Sequence, residues 1–237
     1  MKDLVLEQTY ASPRTVARVP ANGAAAEEDR KVVGLYERSV KRAFDILMVL
    51  ILAPAVLPVT LVFWVLTRLD GSAGFYGQER VGRDGRRFMC WKIRTMVPNA
   101  EQVLADLCAR DPIIAREWHE TQKLRYDPRI TRVGQILRKT SLDELPQLWN
   151  IFLGEMSFVG PRPFMPSQEH LYVKAGGQAY FRVRPGITGP WQVEGRSTTL
   201  FTDRVRYDEG YYQGLSLKGD ISYIWKTFGV VLRMTGR

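Results

Sequence analysis

The chain has 237 residues, long enough for one good core with an appendage. Its 34 Lys+Arg against 25 Asp+Glu give a net charge of +9, which suits nucleic acid, an anionic membrane face or a phosphorylated substrate. Two cysteines, Cys90 and Cys108, exclude a disulfide framework and lack metal-ligand spacing, so a reducing compartment is the default.

Residues 1–34 are rich in Ala, Pro and charge without a sustained apolar period, and are expected to form a flexible tail. They lack the basic start, apolar run and small-residue cleavage site of a signal peptide. The stretch SVKRAFDILMVLILAPAVLPVTLVFWVLTRLDG follows. It carries no charge from Ile46 to Leu66, about 21 residues, close to the ~20 that cross a bilayer as a helix. A simple spanning anchor is one reading. Pro54 and Pro58 oppose it, because each removes a helical hydrogen bond. Basic residues also flank both ends: Arg38, Lys41 and Arg42 before, Arg68, Arg80 and Arg83 after, whereas a spanning helix normally leaves one flank poor in cations. Broken at Ala53-Pro54, the arms would measure about 12 Å and 20 Å, each short of the ~30 Å hydrocarbon layer. The expectation is a helix–break–helix that dips into one leaflet and returns.

GFYGQERVGRDGRRFMCWKIRTM reads as a hairpin turning at Asp84-Gly85. Strand periodicity puts Phe88, Cys90, Lys92 and Arg94 on one face, and Lys92 with Arg94 could grip a phosphate or simply face solvent. Asn99 is a candidate cap for a helix through AEQVLADLCA, a helical pattern continues in IAREWHETQKL, and Ile130, Val133, Ile136 and Leu137 share a helical face. Leu145, Leu148, Trp149, Phe152 and Leu153 repeat that pattern and predict a helix with a buried face. VGPRP and RPGITGPW are stiffened loops. Near the C-terminus, Ile221, Ile224, Trp225 and Phe228 suit a membrane surface or ordinary packing. His119 and His170 are isolated and read as structural or solvated.

Asp143 and Glu144 in RKTSLDELPQLWN are adjacent acids ahead of that apolar run. A capping box with Ser141 as N-cap would make Pro146 the fifth helical residue, where its missing N–H breaks a hydrogen bond. Moving the start to about Asp143–Leu145 admits the proline and leaves the acids at the helix N-terminus. Two carboxylates about 5 Å apart repel by about 3 kcal/mol at an effective dielectric of about 20, so a positive partner is required. Arg138, Lys139 and a divalent cation are candidates. Mg²⁺ characteristically takes one or two carboxylates plus substrate phosphate oxygens, and an acid beside it can attack phosphorus. Nucleic-acid binding is disfavoured, because the cations are scattered and no stacking platform or groove-reading motif occurs.

The blocks KRAFDILMVLILAP, QERVGRDGRRF, KIRTM, LRKTSLDELPQLWNIFLGEMSFVGPRP and RPGITGPWQVEGR occur in series. Together, from about Lys41 to the C-terminus, they resemble the bacterial sugar transferases that load a sugar phosphate onto polyprenyl phosphate, the monotopic phosphoglycosyl transferases. FYGQERVG, FMCWKIRTM, EWHETQKLRYDPRITRVG and NIFLGEMS are similar to the carrier-lipid galactosyl-phosphate transferases that begin exopolysaccharide synthesis.

The resemblance implies an α+β fold: a mostly helical monotopic membrane protein with a re-entrant broken hydrophobic helix and a small β-hairpin. Residues 1–34 would be the tail, 35–72 the membrane-inserted helix and 73–237 the catalytic domain, on the cytoplasmic face of the bacterial inner membrane. It further implies a UDP-sugar donor, undecaprenyl phosphate as acceptor, contact with membrane lipid, and Mg²⁺ held at Asp143 and Glu144. Asp143 matches the family nucleophile, which attacks the β-phosphorus, expels UMP and holds a phosphosugar covalently. Glu144 matches its partner acid, and Arg138 would hold phosphate. Lys92, Arg94, Glu79 and Arg162 fall in blocks expected to line the donor site. Many relatives carry Ser-Pro at the membrane break. Here Ala53 precedes Pro54, and alanine lacks the hydroxyl that can satisfy a freed carbonyl. The sugar and the oligomeric state, a homo-oligomer included, stay open.

Overall fold

The computed structural model describes residues 34, 36–121, 124–195 and 200–232, so the expected tail lies outside the described residues except at Gly34. In chain order the elements are helix α1 (Lys41–Arg68), strands β1 (Phe75–Val81) and β2 (Arg87–Ile93), and helices α2 (Ala100–Arg110), α3 (Pro112–Thr121), α4 (Arg132–Thr140) and α5 (Gln147–Leu153). Strand β3 (Ser157–Val159), helix α6 (Glu169–Lys174), strand β4 (Gly186–Thr188) and helices α7 (Arg204–Gln213) and α8 (Leu217–Leu232) complete the fold. Mostly helical with a small antiparallel hairpin and one long apolar helix, it is the expected α+β monotopic architecture.

The hairpin pairs Phe75 with Ile93 through Val81 with Arg87, and Asp84 and Gly85 take positive φ (57° and 73°) at its turn. Phe88, Cys90 and Ile93 are buried while Met89 and Trp91 are exposed, as the period of two requires up to Lys92. The strand ends at Ile93. β3 and β4 form a two-residue parallel ladder, Ser157 with Gly186 and Val159 with Thr188. Their backbones run so close that a Cβ on Gly186 would meet Gly160 N at 2.1 Å, so both loops need glycine there. One core gathers Val49, Phe88, Cys90, Ile151, Met156, Phe158 and Val159; a second is the aromatic group Phe164, Tyr172 and Tyr180 with Val81.

The expected break in the hydrophobic segment is corrected. Helix α1 is one continuous α-helix through Ala53, Pro54 and Pro58. Proline's fixed φ is itself helical, and an apolar helix tolerates the lost hydrogen bonds. The helix is long and apolar enough to cross a membrane, and almost none of that span is buried by protein. Yet both ends dock on the same body. At the N-terminal end Lys41 Nζ donates to the fully buried Asp220 of α8 at 2.5 Å. Asp45 Oδ1 accepts from Ser157 Oγ at 2.9 Å and Phe158 N at 3.0 Å, and Arg42 donates to the Ile151 and Phe152 carbonyls at 2.6 and 2.9 Å. At the C-terminal end Arg94 donates to the Thr67 carbonyl and the Asp70 carboxylate at 2.6–2.8 Å. A helix pinned at both ends to one body lies along one side of it.

Two further expectations are corrected. Asn99 precedes α2 but sits in the left-handed region (φ 57°) and makes no side-chain cap. In α5 the expected face is buried only in part: Leu148 packs on the core and Leu145 is half-buried, but Trp149, Phe152 and Leu153 are 55%, 43% and 52% exposed, while Gln147, Asn150 and Ile151 are buried. Asn150 stitches α5 to β2, its amide donating to Met89 O at 2.7 Å and its Oδ1 accepting from Trp91 N at 3.1 Å. The aromatic face is thereby left to whatever apolar medium covers α1. In α8 Trp225 and Phe228 are likewise exposed, while Tyr223 and Ile224 pack on the core.

Candidate active site

Ser141 ends α4 in the left-handed region (φ 59°), its N–H donating back to Arg138 O. That reversal starts a single 3-10 turn, Leu142–Glu144, with Pro146 just ahead of α5. Ser141 makes no side-chain cap, so the capping-box alternative fails. The helix begins a little later than expected, at Gln147, with Asp143 and Glu144 immediately before it.

The turn packs on β2 and delivers both acids to Lys92. Lys92 Nζ is 2.7 Å from Glu144 Oε1 and 3.7 Å from Asp143 Oδ2, and Arg162 Nη2 is 3.5 Å from the same Glu144 oxygen. Asp143 is 9% exposed. Burial pushes its carboxyl above the usual range and the Glu144 charge adds to that, while Lys92 and Arg138 pull it down. Arg138 donates to Thr95 Oγ1 at 2.9 Å; burial lowers its guanidinium pKa, offset by Asp143. Two carboxylates and three cations thus converge at one point, with each acid matched by a positive partner.

Sequence reasoning placed two residues differently. Arg94 lies beyond the end of β2, where strand periodicity no longer holds. It spends its guanidinium on Ala73 O, Met96 O, Thr67 O and Asp70, holding the end of α1 instead of joining Lys92. Glu79 is exposed and pairs in register with Met89, on the face of the hairpin opposite Lys92. The structure brings forward Arg80 instead. It lies on the Lys92 face, reaches Pro163 O at 3.3 Å, and is pressed downward by burial and by Arg162.

Arg204 had given no signal in the sequence. It is 2% exposed and enclosed by the rings of Phe164, Tyr172, Tyr180, Trp191 and Phe201 at 5.1–5.7 Å. Its Nη2 donates to the Arg162 carbonyl and its Nε pairs with Asp208 at 3.3 Å. It therefore fixes the backbone of the residue that reaches Glu144. His119 and His170 are exposed and take no part.

Beside the acids lies an apolar pocket of about 470 Å³ between α1 and α5. Its wall includes Leu145 and Pro146, which follow Glu144, and Trp91, on the face of β2 opposite Lys92; Leu50, Leu57 and Trp149 continue it along the helices. The charged centre and the apolar cleft thus adjoin through Leu145 and Pro146. Asp143 and Glu144 are the two carboxylates here that could hold a divalent cation alongside phosphate oxygens and water; no group of three or more His, Cys, Asp or Glu gathers among the described residues.

Comparison with known proteins follows the same lines. The family described as "Bacterial sugar transferase" matches residues 36–234. The chain is 48% identical over 200 residues to a UDP-galactose-lipid carrier transferase of Erwinia amylovora, covering 84% of this chain and 42% of that protein. It is 45% identical over 202 residues to an undecaprenyl-phosphate galactose phosphotransferase of Salmonella typhimurium, again covering 84% and 42%. It is 44% identical over 197 residues to the exopolysaccharide production protein ExoY of Sinorhizobium fredii, covering 83% and 87%. The chain therefore spans less than half the length of the first two relatives and most of the third.

Proposed function

The chain belongs to the bacterial sugar transferase family, and from that premise we propose that it moves a hexose 1-phosphate from a UDP-sugar to undecaprenyl phosphate, releasing UMP, as the first membrane step of a surface glycan. The observation that carries this reading is a buried aspartate, Asp143, held between Lys92 and Arg138 beside Glu144, next to an apolar cleft against α1.

An Asp143 carboxylate oxygen attacks the donor's β-phosphorus. The new O–P bond forms as the bond from that phosphorus to the bridging oxygen breaks, and the bridging oxygen leaves with UMP. A phosphate oxygen of undecaprenyl phosphate then attacks the same phosphorus and frees Asp143, giving undecaprenyl-diphospho-sugar. Lys92, Arg138 and Arg162 stand where charge grows on the phosphoryl oxygens, which is most of what a loose phosphoryl-transfer transition state asks of its surroundings. Mg²⁺ at Asp143 and Glu144 would neutralise donor phosphate charge. Glu144 keeps Lys92 in place and stands ready to take a proton from the acceptor. The apolar cleft suits the polyprenyl chain, so the acceptor enters from the lipid while the soluble donor enters from water. The catalytic body then sits on the cytoplasmic face of the bacterial inner membrane.

The test is intact-protein mass spectrometry after mixing the full chain with UDP-sugars and Mg²⁺ without acceptor. The expected result is one added hexose-phosphate mass, discharged by undecaprenyl phosphate and absent in Asp143→Asn. Turnover without that added mass, or full turnover in Asp143→Asn, overturns the covalent route. No UMP release from any UDP-sugar overturns the activity and leaves a membrane-tethered binding protein.

A further inference from the structure

A second cavity, of about 430 Å³, lies at the far ends of the elements that build the acid site. The acids precede the N-terminus of α5 and meet Lys92 near the end of β2. This cavity is lined by Leu153, Gly154 and Glu155 at the C-terminal end of α5, by Gly82–Asp84 and Arg86–Phe88 at the start of β2, and by Arg184. From Arg87 to Lys92 the strand advances about 16 Å at ~3.3 Å per residue, so the two sites are separate.

Four arginines line the cavity, Arg83, Arg86, Arg87 and Arg184, against two acids, Asp84 and Glu155. Glu155 is engaged, accepting from the Asn150 amide at 2.6 Å. Asp84 reaches Arg83 only at 3.6 Å, and Arg83 Nε is shut off from solvent with no hydrogen-bond partner. Arg87 is matched by Glu169 at 2.5 Å, whereas Arg86 is exposed and makes no ion pair among the described residues. Arg184 gives its Nε to the Gly154 carbonyl at 2.7 Å. Burial lowers its pKa, and the neighbouring Arg42 and Arg83 charges lower it further. Arg83 and Arg184 line the cavity with Arg42 close by, and the acids that answer them are few: Asp84 at 3.6 Å from Arg83, and Asp45, which only partly offsets the lowering of Arg184.

The cavity's position says what a further anion there would belong to. Arg42 caps the end of α5 from just before the charge-free part of α1, the level at which cations meet lipid headgroups. Leu153 forms part of the cavity wall while half exposed, and the exposed Phe152 and Trp149 continue from it toward the apolar cleft. An anion with a hydrocarbon tail satisfies both surfaces at once.

We propose that this arginine cavity is a non-catalytic seat for the phosphate of an anionic membrane phospholipid, whose acyl chains lie against Leu153, Phe152 and α1. The seat rests on the monotopic membrane placement above but not on the transferase chemistry. It docks the domain on anionic lipid with the hairpin turn at headgroup level.

The experiment is hydrogen–deuterium exchange on the full chain in phosphatidylcholine nanodiscs carrying graded phosphatidylglycerol. Exchange in the segment 82–87 and at 153–155 is expected to slow as phosphatidylglycerol rises. In the double variant Arg83→Gln/Arg86→Gln the phosphatidylglycerol needed for half of that slowing should rise about fivefold per arginine, roughly 25-fold in all. UMP release by the variant in phosphatidylcholine discs should be unchanged. Inorganic phosphate, glycerol phosphate and UDP are added separately to phosphatidylcholine discs. Equal slowing by any of these soluble anions overturns the lipid assignment, as does an unshifted titration in the double variant or no response to phosphatidylglycerol. UMP release is scored separately, so a failed transferase reading leaves this result standing, and the converse.

Discussion

One ammonium group, Lys92 Nζ, is shared by two adjacent carboxylates, at 2.7 Å from Glu144 and 3.7 Å from Asp143. Left alone, the acids would repel by about 3 kcal/mol at an effective dielectric of about 20. Burial already raises the Asp143 carboxyl, and Lys92 is the largest influence opposing that rise. A nucleophilic carboxylate must be ionised, so turnover should fall on the acid side at a pH above that of an ordinary aspartate. Lys92→Met removes the lowering influence. The acid limb of the pH profile for UMP release should therefore move to higher pH, and the plateau should drop by about 10²–10³-fold with the lost phosphate contact. A limb that stays where it is would show that Lys92 does not govern the ionisation of Asp143.

Arg204 and Asp208 form a buried pair inside the aromatic group that supports Arg162. Burial raises Asp208 to about 6, with Arg204 pulling the other way. The sign follows from linkage. Between the ordinary aspartate value near 4 and about 6, the folded chain holds a proton that the unfolded chain has released. The stability this group contributes is complete below about pH 4 and declines as pH rises through 6. In Asp208→Asn that decline should vanish. Thermal unfolding in detergent, followed from pH 4 to 7, should show the melting temperature of the variant gaining on the wild type as pH rises, then running parallel. A constant difference across the range would contradict the raised value.

Arg204→Lys tests what the pair is for. Lysine keeps the charge but cannot both fill the ring enclosure and reach the Arg162 carbonyl in the same planar geometry. Donor KM should rise by about tenfold, with the acceptor KM unchanged. A change confined to stability would make Arg204 a packing residue only.

Much of this site could be read from the chain. The acids ahead of α5, the turn at Asp84-Gly85 and the shared face of Phe88, Cys90 and Lys92 follow from proline placement, positive-φ preference and strand period. The failures have physical causes. Periodicity on α5 reports which face avoids water, not whether protein or lipid does the covering, so Trp149 and Phe152 were assigned to a core they do not enter. Arg94 was aligned with Lys92 by a period that stops one residue earlier. Arg204 was invisible because its five ring partners, Phe164 to Phe201, are spaced at neither the helical nor the strand period, and proline alone does not decide whether a helix breaks.

The exposed pair Trp149 and Phe152, stacked at 5.5 Å, flanks the apolar cleft beside the acids. If the cleft takes the acceptor's hydrocarbon chain, truncating both rings should spare the first half-reaction and damage the second. For Trp149→Ala/Phe152→Ala the UMP burst without acceptor should keep its wild-type rate, while the KM for undecaprenyl phosphate rises by at least about tenfold, from ~1–2 kcal/mol of lost apolar burial per ring. A slowed burst with an unchanged acceptor KM would move these rings to the donor side.

The two ends of α1 are joined to one body by different means, Lys41 to Asp220 at one end and Arg94 to Thr67 and Asp70 at the other. About 42 Å of helix at 1.5 Å per residue separates them along the axis, so a membrane-crossing orientation would tear one attachment from the catalytic body. Both ends are therefore expected to face the same side, even though the helix is unbroken. Single cysteines at the exposed Ser39 and Ala73, in a Cys108→Ser background that leaves only the buried Cys90, report this directly. A membrane-impermeant thiol reagent should modify both positions in inside-out vesicles and neither in right-side-out ones. Modification of one position from each side would mean that the helix spans the bilayer and that its attachments to the body do not hold in the membrane.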